Sequence, residues 1–63
     1  MIWVQYEVWS VDQDGHEELI ETTHSFKEAR KIAEAALTED IVECTIYKEE
    51  DGELSAEEVI VRE

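Results

Sequence analysis

Two Asp-Gly pairs, Asp14-Gly15 and Asp51-Gly52, each follow a run rich in β-branched and aromatic residues. An Asp-Gly pair flanked in this way is a strong local signal for a β-hairpin. Between the two pairs lies SFKEARKIAEAAL, residues 25–37, in which apolar residues recur at helical spacing. Hairpin, helix, hairpin in 63 residues leaves few packings open. The expected fold is α+β with the order ββαββ: a four-stranded, mainly antiparallel sheet with one helix packed on one face, in a single domain spanning residues 1–63. Strand order does not follow from the sequence.

Residues 2–11, IWVQYEVWSV, read as the first strand. Alternation puts Ile2, Val4, Tyr6 and Val8 on one face, and Trp3, Gln5, Glu7, Trp9 and Val11 on the other. DQDG, residues 12–15, suits a type I turn followed by a left-handed glycine, which closes a three-residue hairpin. Residues 16–23 return as the second strand, with Val8 opposite Ile20 and Trp9 opposite Leu19. In the helix, Ser25 is the N-cap and Glu28 completes a capping box. Phe26, Ala29, Ile32, Ala33, Ala36 and Leu37 form the apolar stripe. The third strand is IVECTIYK, residues 41–48, with Val42, Cys44 and Ile46 on one face. EEDG, residues 49–52, repeats the turn chemistry of DQDG. In ELSAEEVIVRE, Ser55 and Glu58 could cap a short helix. Val59, Ile60 and Val61 favour a strand instead, entered through a bulge at Ser55–Ala56.

A domain this small buries only about 60% of the surface its unfolded chain exposes, so its stability margin is narrow. With one cysteine no intrachain disulfide can widen it. Cys44 reads as a small core residue, and a lone thiol fits a reducing cytoplasm. No basic, apolar leader and no long apolar run point to export or to a membrane span.

Little in the chain suggests catalysis. Ser10, Ser25 and Ser55 have ordinary structural readings, and His16 and His24 are the only imidazoles. No nucleophile, base and orienting group share a motif. Three scattered Cys and His residues do not make a zinc site. DQDGHEE offers Asp12, Asp14 and Glu17 or Glu18 to a hard cation but lacks the remaining spacing of a calcium loop. A plain turn is the better reading, and no metal or other cofactor is expected.

The charge is the dominant chemical feature: 18 acids against five bases, a net −13. Residues 1–24 carry −6, residues 25–37 carry +1 and residues 38–63 carry −8. Such a chain repels nucleic acid and anionic membranes and attracts basic surfaces. The acids crowd two hairpins: Asp12, Asp14, Glu17, Glu18 and Glu21 in the first, and Glu49, Glu50, Asp51, Glu53, Glu57 and Glu58 in the second. Two like charges about 7 Å apart along a strand repel by roughly 0.6 kcal/mol in water before screening, so crowding them is costly in a marginal fold. One compensating role is to mimic nucleic acid: rows of carboxylates can occupy a groove whose Lys and Arg are spaced for phosphates. Trp3 and Trp9, facing away from the helix, would add an apolar anchor or a homodimer contact through the open sheet face. If the two acidic hairpins align into one continuous face, a groove built for phosphates is a plausible target for them. If they point apart, solubility is enough to explain them.

In size, charge and ββαββ pattern the whole chain resembles the small acidic proteins that phages and mobile elements encode against host factors, including DNA-mimic anti-CRISPR proteins. That resemblance implies a non-enzymatic inhibitor in the host cytoplasm that binds a basic nucleic-acid-binding complex, such as a CRISPR effector. Residues 4–37 are also similar to the opening of HicB-type antitoxins, where an acidic hairpin precedes an EA-rich helix. The chain lacks the Pro-Gly segment usual there, and no DNA-binding domain is expected after residue 63. The second resemblance implies a small antitoxin or other protein-interaction module.

Overall fold

The computed structural model describes residues 3–62, so Ile2 of the expected first strand lies outside the described residues. The order is β1 (Val4–Asp12), β2 (Glu17–Thr23), α1 (Phe26–Ala36), β3 (Ile41–Glu50) and β4 (Glu53–Val61). The strands form one antiparallel sheet in the order β2-β1-β3-β4. The C-terminal segment is a strand and not a helix.

Helix α1 lies on one face of the sheet. Ala29 and Ala33 are fully buried against Val8, Cys44 and Ile46, with Tyr6, Phe26, Ile32, Ala36, Leu37, Ile41 and Ile60 packed around them. Two alanines in the stripe let the helix approach closely but contribute little apolar area. Burial also pushes the Cys44 thiol pKa up, with the neighbouring Glu43 adding to the effect. At the helix start, Glu28 N–H donates to Ser25 Oγ at 3.3 Å. The capping box is only half made: Ser25 N–H donates to Thr23 Oγ1 at 3.4 Å, while the Glu28 carboxylate sits 3.9 Å from Lys31 Nζ. After the helix, Thr38 Oγ1 accepts from Asp40 and Ile41 N–H, which turns the chain into β3.

The register departs from expectation at three places. Trp9 pairs with Leu19 as anticipated, but Val8 pairs with Glu21, not Ile20, because β2 carries a bulge there. In β4 the bulge falls between the Glu58 and Ala56 pairings, leaving Glu57 as the extra residue, one or two positions beyond Ser55–Ala56. The two Asp-Gly pairs also close different turns. In the first, Gly15 N–H donates to Asp12 O at 3.0 Å and Gly15 has φ +86°, the three-residue form. In the second, Glu50 pairs directly with Glu53, and both Asp51 (φ 51°) and Gly52 (φ 85°) are left-handed. That is a two-residue type I′ turn, whose twist matches the strands it joins.

Asp51 is not the best residue for that position. Asn tolerates the left-handed region at least as well, and the facing pair Glu50–Glu53 already repels. Asp51→Asn is expected to raise the thermal midpoint by about 2–4 °C. Calorimetry checks this, and an unchanged or lowered midpoint would contradict the turn assignment.

Antiparallel pairing of β1 with β3 settles where the turns lie. Val4 pairs with Glu50 and Asp12 with Ile41. The second turn therefore sits beside the start of β1, and the first beside the start of β3. The two acidic turns cap opposite ends of a body 40 Å long and 19 by 15 Å across.

The open sheet face as candidate functional site

Because paired residues share a face, the register sorts the side chains. On the helix side lie Val8, Ser10, Glu18 and Glu21, with Cys44, Ile46, Lys48, Glu50, Glu53, Glu58 and Ile60. The opposite face has no helix over it. It carries Glu7, Trp9 and Val11 along β1, with Trp3 just before the strand in the same alternation, and Glu17 and Leu19 on β2. From β3 come Glu43, Thr45, Tyr47 and Glu49, and from β4 Leu54, Val59 and Val61. Trp3, Leu54, Val59 and Val61 are each half or more exposed, and Leu19 is 43% exposed.

The candidate residues do not form one continuous acidic surface. Asp14 lies at one tip and Asp51 at the other. For these tips, solubility suffices. The fold adds Glu39 and Asp40 to the first pole, where Gln13 Nε2 donates to Glu39 O at 2.6 Å and Asp40 borders Asp12, Gln13 and Asp14. At the second pole Lys48 Nζ lies 3.1 Å from Glu50 and offsets part of its charge.

Edge strands account for a second group. Glu17, Glu18 and Glu21 are on β2, and Glu53, Glu57 and Glu58 on β4, the two outer strands of the sheet. Charges and bulges on an edge discourage pairing with another chain, and both edges here carry both devices. Glu58 is also held by the fold: Arg30 Nη1 is 3.3 Å from its Oε1, and its Oε2 is buried without a hydrogen-bond partner.

Asp12 is absorbed by its turn. Its Oδ1 accepts from the N–H groups of Asp14 and His16, each at 2.9 Å, and its Oδ2 lies 3.3 Å from His16 Nδ1. The backbone hydrogen bond from His16 is the main reason its carboxyl titrates below the ordinary value. The ligand atoms of Asp12, Asp14 and His16 gather within 4.8 Å. The turn's own hydrogen bonds account for that cluster. Glu17 and Glu18, the other acids read as cation ligands, point to opposite faces of the sheet.

No family model, curated protein or solved structure matches the chain.

What edges and tips leave unexplained are three carboxylates on the central strands: Glu7 on β1, and Glu43 and Glu49 on β3. Glutamate is depleted in strands, and a central position offers no edge to protect. Two of them are tied into the face. Glu7 accepts from Trp9 Nε1 at 3.0 Å, and Glu49 accepts from Gln5 Nε2 at 3.5 Å. Trp9 packs edge-to-face on Tyr47 with ring centroids 6.5 Å apart, while Trp3 packs on His24 at 4.7 Å. Thr45 beneath them is 7% exposed, so the aromatic side chains cover the centre of the face. Among the described residues no lysine or arginine lies on this face: Lys27, Arg30 and Lys31 are on α1, Lys48 is on the helix side and Arg62 follows β4. Of the acids grouped by hairpin, Glu17 and Glu49 belong to this face. Glu7 and Glu43 lie outside both hairpin groups. Alternation along β1 was enough to place Glu7 beside the tryptophans; Glu43 required the pairing of β1 with β3.

Proposed function

We propose that the protein is a non-enzymatic inhibitor that binds a basic nucleic-acid-binding complex, such as a CRISPR effector, and excludes nucleic acid from its groove. The observation that carries this reading is the composition of the open sheet face: Glu7, Glu17, Glu43 and Glu49 set among exposed apolar residues, with no lysine or arginine among the described residues. Glu43 and Glu49 lie six residues apart on one strand, about 20 Å. That length corresponds to about six nucleotide steps at 3.4 Å each. A groove lined with Lys and Arg for phosphates would meet carboxylates there, and Trp3, Leu54 and Val59 would supply contacts that charge alone lacks. The remaining acids, at the poles and edges, add long-range attraction that speeds encounter and weakens with salt.

The same composition favours a foreign partner over a second copy. In a face-to-face homodimer these carboxylates would be buried against an equally anionic surface with no cation to pair them, a costly arrangement.

The test is competition. The protein and duplex DNA should exclude one another on the captured complex, and capture should weaken as salt rises. A stable ternary complex of target, DNA and inhibitor would end the proposal. Copurification with a small basic toxin, without competition by DNA, would move the reading to an antitoxin.

A further inference from the structure

The open face contains a shallow hollow of about 250 Å³ lined by Trp9, Glu17, Tyr47 and Leu54, one residue from each strand. A twisted sheet is concave along one diagonal, which is how side chains of all four strands come to line one depression. We propose that this hollow receives an arginine side chain of the basic partner; the inference rests on reading the open face as the docking surface.

Three observations select arginine. The walls are aromatic and aliphatic: Trp9 and Tyr47 meet edge-to-face at 6.5 Å, and Leu54 adds an apolar side. A guanidinium is planar and weakly hydrated, so it stacks on aromatic rings where an ammonium would remain strongly solvated. The charged group in the lining is the Glu17 carboxylate, and no cation lines the hollow with it. An aliphatic side chain inserted here would desolvate the Glu17 carboxylate without pairing it, and arginine pairs it. Trp9 Nε1 already donates to Glu7, which fixes the indole against which the guanidinium would lie.

Tetra-arginine and tetra-lysine peptides carry equal charge, so non-specific attraction to a −13 protein is common to both. Titrated into the ¹⁵N-labelled protein, tetra-arginine should bind about fivefold more tightly. It should shift the Trp9 indole N–H resonance more than that of Trp3. Tyr47→Leu and Glu17→Gln, each checked for folding by circular dichroism, should remove the preference and leave the binding common to both peptides. Equal affinities, a preference that survives both variants, or a shift confined to Trp3 would overturn the assignment. So would a tetra-norleucine peptide that binds as tightly as tetra-arginine. Loss of the arginine preference with DNA competition intact removes the hollow alone. Failure of competition with the preference intact removes the inhibitor reading and leaves an arginine-binding face.

Discussion

Ile46→Ala is expected to remove most of the protein's stability and leave a large unfolded fraction at 25 °C. Ile46 is the largest of the fully buried side chains, and it sits in a core whose other fully buried members are Val8, Ala29, Ala33 and Cys44. Truncating a buried isoleucine to alanine costs about 2–5 kcal/mol, partly in transfer free energy and partly in the cavity left behind. A domain of this size has about 3–5 kcal/mol in total. The cavity would open at a central strand, where Val8 pairs with Ile46 on one side and Glu58 on the other. The surrounding backbone is laddered on both sides and cannot close over it. Ile46→Val, which removes one methyl group, should cost about 1 kcal/mol and stay folded. Urea titration followed by far-ultraviolet circular dichroism separates the cases. A cooperative transition for Ile46→Ala close to that of the parent would mean that the helix-side core is not what holds the sheet. The Trp9, Tyr47 and Thr45 layer on the other face would then have to carry the fold.

Local signals in the sequence go a long way toward this fold. The helix has a cap, a stripe and β-rich runs on both sides, and it forms over Phe26–Ala36 with Ser25 as its N-cap. The first turn follows from DQDG because Asp12 is placed to accept the N–H groups of Asp14 and His16. The second did not, because Asp-Gly serves both two- and three-residue hairpins. Which one forms depends on the register at Glu50–Glu53, which the dipeptide does not encode. The bulge at Ile20 has no local signal, and the one at Glu57 lies beyond the expected Ser55–Ala56, for a related reason: a bulge is set by how two strands compete for pairing. Strand order has no local signature, yet it governs the functional reading. Placing β1 beside β3 sends the acidic turns to opposite ends of the molecule. It also gathers Glu7, Glu43 and Glu49, which are distant in sequence, onto one face. Asp14, Asp51 and Glu53 stay at the poles and an edge, and Glu7 and Glu43, which belong to neither hairpin's acidic group, lie on the open face.

Neutralising Glu7, Glu17, Glu43 and Glu49 to Gln should weaken capture of the nucleic-acid-binding target by about 30- to 1000-fold. The range follows from about 0.5–1 kcal/mol for each charge removed from a partly exposed pair, summed over four positions. Neutralising Asp14, Glu39, Asp51 and Glu53 changes the net charge by the same amount but alters only poles and an edge. That variant should lose association rate and salt sensitivity while its dissociation rate stays near the parent's, because charges outside the contact act mainly during encounter. Surface plasmon resonance at two salt concentrations resolves both rates. The two quadruple variants thus distinguish a docking face from general acidity. If both weaken capture equally, and through association alone, the total charge is what the target senses and the open face has no special part. If the face variant alone dissociates faster, the carboxylates of the central strands are in the contact. Their presence among exposed tryptophan, leucine and valine is then accounted for by the partner they meet, and not by solubility.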